Sequence, residues 1–162
     1  MTALAPRPRP GAALDRLVAP IPLAALALLV VNDHVLKPNY PGWLSGKLSD
    51  VAVLVLLPFL FVAAWDLLAM VTRGLRSPGR RALVAGAIAA AALFTAIELV
   101  PWVGDAYRWG LGGAQWLPAV LASILASEPL PTIRPVLLTH DPSDLLALPF
   151  AVVALIRLRP AD

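Results

Sequence analysis

The chain alternates long apolar stretches with short polar ones. Residues 17–36, 50–72, 82–100 and 142–157 are each almost continuously hydrophobic. At about 1.5 Å of rise per residue, some twenty helical residues cross a hydrocarbon core about 30 Å thick. Within lipid, a helix satisfies its backbone groups inside one short segment. The pattern therefore predicts four transmembrane helices over those residues. Pro20 and Pro22 fall in the opening turn of the first, where proline is tolerated. Pro58 lies inside the second and predicts a kink. The fourth is short, with arginines able to snorkel at its end.

A fifth uncharged stretch, "WGLGGAQWLPAVLASILAS" at 109–127, is long enough to span but holds three glycines and Pro118. Leu117, Val120, Leu121, Ile124 and Leu125 share one helical face; Gln115, Ala119, Ala122, Ser123 and Ala126 share the other. That division suits an interfacial or re-entrant helix over 112–127. The expected fold class is thus an all-α integral membrane bundle of four transmembrane helices plus one interfacial or re-entrant helix. Residues 1–14, rich in Pro, Ala and Arg, read as a disordered tail rather than a cleaved leader. Residues 15–159 read as a single domain.

Composition agrees. Of 162 residues, 59% are hydrophobic and 14% charged, against about 25% charged in soluble domains, and the mean hydropathy is +0.79. There is no cysteine, so disulfides, thiolate nucleophiles and Cys-ligated zinc are absent. The net charge of +3 does not point to nucleic acid, because the arginines flank apolar runs, as the positive-inside rule requires. With four spans and the N-terminus inside, the inner face holds nine Lys or Arg and the outer face four; a fifth span gives eight and five. The rule favours four spans, with both termini cytoplasmic and the chain in the inner (plasma) membrane. An internal echo fits: "LSDVAVLVLLPF" opens the second span and "PSDLLALPF" the fourth, as in two related hairpins.

The polar groups gather in "NDHVLKPNYPGWLSGKLSD", residues 32–50. Helix ends explain many of them. His34 and Lys37 suit a helix C-terminus, and Asp33 can pair with Lys37 four residues on; Pro38 then stops the helix. Asp50 suits an N-terminus. In "HDPSD", Asp141 can cap, Pro142 takes the first helical position, and Asp144 stands where a capping-box acid would. Asp33 and Glu98, acids near helix C-termini, and Lys47, a cation near an N-terminus, need water or partners. Glu98 has no partner nearby in sequence. Asp66, deeper in its span, is expected to reach toward Arg73 or Arg76. Ala85, Gly86, Ala89 and Ala90 form a small-residue face for close helix packing, or for a homo-oligomer or a membrane-protein partner.

The candidate catalytic residues are His34, Lys47, Asp50, Glu98, His140 and Asp144; His34, Asp50, His140 and Asp144 are also the candidate metal ligands. Nothing calls for a cofactor. The stretch 32–50 resembles a signature of small, uncharacterised bacterial integral membrane proteins: Asn-Asp-His, then Trp-Leu-Thr/Ser-Gly-Lys-Leu-Ser-Asp entering a span. The resemblance covers the first two spans and implies no established activity. "DPSDLL" resembles the last span of VanZ-like membrane proteins, without the remainder of that pattern. Three functions follow as expectations. One is a structural or partner-binding membrane protein with a polar Asp/His/Lys/Glu cluster at its outer face. Another is a membrane enzyme acting on lipid-linked or head-group substrates, with Lys47 on a phosphate and His34 or His140 moving protons. The third is a carrier for a proton or small ion.

Overall fold

The computed structural model describes residues 12–72 and 80–156. Every regular element among them is helical: α1 (Ala12–Leu17), α2 (Pro20–Val31), a π turn (Asn32–Leu36), α3 (Lys37–Asn39), α4 (Trp43–Thr72), α5 (Arg80–Leu99), α6 (Pro101–Ala126) and a 3-10 helix (Pro142–Leu155). Four helices are long and apolar enough to cross a membrane: Pro20–Asn39, Trp43–Thr72, Arg81–Leu99 and Pro101–Ala126. The chain forms two compact units, one of residues up to Ala92 together with Leu146 onward, the other of Leu93–Leu145.

In the first unit, α2, the π turn and α3 make one continuous helix, joined to α4 through Tyr40, Pro41 and Gly42 alone. So short a connection makes the pair a helical hairpin. Pro38 does not stop the first helix, as the sequence suggested. It lacks an N–H and would collide with the carbonyl four residues back. The preceding π turn, closed by the Lys37 N–H on the Asn32 carbonyl, widens the helix there, and Tyr40 N–H still reaches the Leu36 carbonyl at 2.6 Å.

Helix α4 begins at Trp43, not Asp50. Gly42 stands before its first turn, and Ser45 closes that turn from within. Its hydroxyl donates to the Gly42 carbonyl at 2.9 Å and accepts the Gly42 N–H at 3.2 Å, much as a capping-box side chain reaches back. Asp50 therefore sits two turns inside the helix, and its predicted place at the N-terminus is corrected. The helix runs through Pro58 to Thr72.

Phe59, Val62, Leu83 and Ala154 form the buried core of this unit, with Leu17 and Ile21 packed against it. Of the small face on α5, Gly86 and Ala90 are buried while Ala85 and Ala89 are exposed. Gly86 lets α5 approach α4 closely: a Cβ there would lie 2.9 Å from the Pro58 carbonyl oxygen and 3.3 Å from Val62 Cγ2. Beside this contact is an open apolar groove of about 560 Å3 whose lining includes Phe61, Trp65, Ala85 and Ala89.

The segment 142–157, expected as an α-helix, has 3-10 geometry over Pro142–Leu155 and buries Ala147, Ala151 and Ala154. At about 2.0 Å per residue, its 14 residues extend about 28 Å, more than an α-helix of that length would. Arg157 lies outside the described residues, as do Arg73, Arg76 and most of the expected tail; the tail's last residues, from Ala12, belong to α1.

In the second unit, the short helix expected at 112–127 is part of a longer one, α6, which starts at Pro101. Proline at the first helical position has its φ already set, and the Val100 carbonyl accepts the Val103 and Gly104 N–H groups at 2.9 and 3.1 Å. Ser127 ends α6 in the left-handed region, at φ 55°. Ser127 N–H reaches the Ile124 carbonyl at 3.3 Å and Glu128 N–H the Ser123 carbonyl at 2.9 Å, the two bonds of a Schellman cap.

Candidate functional site

Polar side chains are gathered in two places, one in each unit. The first surrounds the π turn. Asn32 is completely buried. Its Nδ2 donates to the Ser45 carbonyl at 2.6 Å and to Ser49 Oγ at 2.7 Å. Ser45 and Ser49 are one turn apart on α4, so a single amide bridges them. The Ser45 carbonyl can only accept, which fixes the amide with its nitrogen toward α4. Ser49 Oγ donates to Asp33 Oδ1 at 2.7 Å, and Lys37 Nζ lies 2.8 Å from the same oxygen. The result is a connected chain of Asn32, Ser49, Asp33 and Lys37 that converges on the Asp33 carboxylate: the buried amide donates to Ser49, Ser49 donates to Asp33, and the half-exposed Lys37 ammonium donates to the same oxygen. Asn32 Oδ1 is buried with no hydrogen-bond partner among the described residues.

His34 and Lys47 border this chain. His34 is exposed, and its Nδ1 is 3.0 Å from the Val30 carbonyl of its own helix. Lys47 is buried, with Nζ 5.7 Å from the centre of the Trp43 ring, within range of a cation–π contact. Asp50 is half-buried on the same helix.

The second place lies at the α5–α6 junction. Asp141 N–H donates to Glu98 Oε2 at 3.3 Å, and His140 Nδ1 is 3.2 Å from the Glu98 carbonyl oxygen. Glu98, isolated in sequence, thus finds its contact 43 residues later. Asp141 caps the 3-10 helix as expected: its Oδ1 accepts the Ser143 N–H at 2.9 Å, and its carbonyl accepts the Asp144 N–H at 2.8 Å. Ser143–Asp144 thus stands at its helix start, whereas Ser49–Asp50 is two turns in, so the two echoed pairs are not equivalent.

A strap, residues 128–141, runs back along α6 to reach this junction. Trp116 Nε1 donates to the Pro131 carbonyl at 2.6 Å. Arg108 binds Val136 twice, its carbonyl accepting the Val136 N–H and its Nε donating to the Val136 carbonyl, both at 3.1 Å. Arg108 also pairs with Asp105 at 3.1 Å. Gly104, Arg108, Gly112 and Trp116 recur every four residues and form one row on α6. A Cβ on Gly112 would strike the Arg134 carbonyl, and one on Gly104 would lie 2.6 Å from His140 Cε1. The glycines cost helix stability, roughly 1 kcal/mol each, but they are where the strap lies closest.

Sequence reasoning named Asp33, Lys37, Glu98, His140 and Asp141 but missed Asn32 and Ser49. The available signal was an uncharged amide closing an apolar run, with two serines one turn apart in the next. Among the described residues, no three His, Cys, Asp or Glu side chains are grouped to hold a metal ion. No family model matches the chain, and neither a curated protein nor a solved structure does.

Proposed function

We propose that this chain is a multi-pass inner-membrane protein whose outer polar groups hold helix ends together and present that face to a partner, rather than performing a reaction. In this reading the helix Pro20–Asn39, α4, α5 and the 3-10 helix cross the bilayer. Both termini are cytoplasmic, and residues 40–42 and 100–141 are outside. The supporting observation is the chain from Asn32 to Lys37, whose links through Ser45 and Ser49 cross the hairpin and whose last link, Asp33 to Lys37, lies along the first helix. A side chain held in such a series is poorly placed to take up a substrate. His34 and His140, either of which carries protons in the enzymatic alternative, each have Nδ1 beside a backbone carbonyl, that of Val30 and that of Glu98.

The test is the thermal stability of purified variants in detergent. Asn32→Ala and Ser49→Ala each remove buried hydrogen bonds and should destabilise by about 1–3 kcal/mol. His34→Ala should leave stability unchanged within about 0.5 kcal/mol, as exposed substitutions usually do. The proposal fails if Asn32→Ala and Ser49→Ala leave both stability and membrane abundance intact.

A further inference from the structure

We infer that α6 and its strap lie along the outer surface of the bilayer, with the apolar face of α6 at the head-group and acyl-chain boundary and the strap toward water. The partner of this unit is therefore the lipid surface. The inference rests on the membrane reading above and deepens it.

Two independent observations carry it. The first is the division of α6 into two sides. The row Gly104, Arg108, Gly112 and Trp116 is taken by the strap. The side away from that row presents Trp102, Trp109, Leu117, Leu121 and Ile124, each more than half exposed. Tryptophans at the start of such a face suit the membrane boundary, and the two-sided pattern is that of a helix lying in the interface plane.

The second is the strap's backbone. Among the described residues, the N–H groups of Leu130, Thr132, Ile133, Arg134, Leu137 and Leu138 have no protein acceptor; Val136 and Asp141 are bonded as described above. Pro129, Pro131 and Pro135 bring no N–H at all. Extended backbone exposed to hydrocarbon is not tolerated, because nothing there accepts those groups. A helix crossing the bilayer with this strap along its length would carry them into the core. A helix lying flat, strap outward, leaves them hydrated.

Depth-resolved fluorescence quenching tests this on the full chain in phosphatidylcholine vesicles with lipids brominated at different acyl positions. Single-tryptophan variants keep Trp102, Trp109 or Trp65, or carry Leu121→Trp, with the remaining tryptophans changed to Phe. Trp102, Trp109 and Leu121→Trp should all be quenched most by bromine near the head group, at one common depth. A crossing α6 would separate Trp102 from residue 121 by about 28 Å along its axis, so quenching that deepens and then shallows along α6 overturns the inference. So does the absence of quenching at all three positions while Trp65 is quenched, which would place a protein partner or water on that face. If Trp65 is unquenched as well, the membrane reading itself fails, which separates the two failures. Leu121→Trp adds a position that does not depend on retaining a native tryptophan.

Discussion

Asn32 shows how much one side chain does at a helix end. Its amide links two helices, orients Ser49, and through it orients Asp33. The salt bridge that follows is the weaker part: Lys37 and Asp33 are both well exposed, and exposed pairs contribute about 0–1 kcal/mol. The pair was legible in the sequence because it is local, four residues apart. Asn32 was not, because an amide declares its partners only when the second helix is beside it. Ser127 is the opposite case, a residue whose own backbone is strained. Left-handed backbone penalises any Cβ, and glycine is the usual residue at this cap position. Ser127→Gly relieves about 1–2 kcal/mol of left-handed strain. Part of that gain is lost to the greater freedom of glycine in the unfolded chain, so the substitution should stabilise the protein by about 0.5–1 kcal/mol. The check is the unfolding temperature in detergent; a fall in that temperature would mean that the Ser127 side chain makes a contribution of its own.

At the scale of elements, close approach depends on glycine and on proline together. Gly86 brings α5 onto α4 at Pro58. Gly112 brings the strap onto α6 at Arg134. Gly86→Val should push the helices apart and cost about 1–3 kcal/mol, as overpacking does. Gly110→Val, where a Cβ meets nothing within 4 Å, serves as the control for helix propensity alone and should cost less. Equal losses in denaturant unfolding would show that the Gly86 contact is not tight. Periodicity and apolar length revealed the helices, since those depend on each segment alone. Their ends were harder to place. The start of α4 was set too late because "WLSGKLS" is polar enough to read as a loop, although Ser45 closes the first turn from inside it. The start of α6 was missed for a different reason. Its glycines argue against a helix until the strap that lies against them is seen, and the strap's fit is a tertiary fact.

The threading of the whole chain joins these observations. Four helices are long and apolar enough to cross a membrane, and α6, the least apolar of them, also carries the strap. Counting α6 as interfacial and the 3-10 helix as the last span keeps the hairpin turn, the strap and the Asp141 cap on one side. It also keeps most arginines on the other side, as the positive-inside rule asks. The absence of native cysteine makes this directly measurable. Single cysteines at Gly42, Glu128 and Val71 would be probed in intact cells with a membrane-impermeant maleimide; Glu128 is exposed and lies at the far end of α6. Gly42→Cys and Glu128→Cys should be labelled from outside, and Val71→Cys only after the membrane is opened. Labelling of Gly42→Cys and Glu128→Cys from opposite sides would contradict this threading, because α6 would then cross the bilayer.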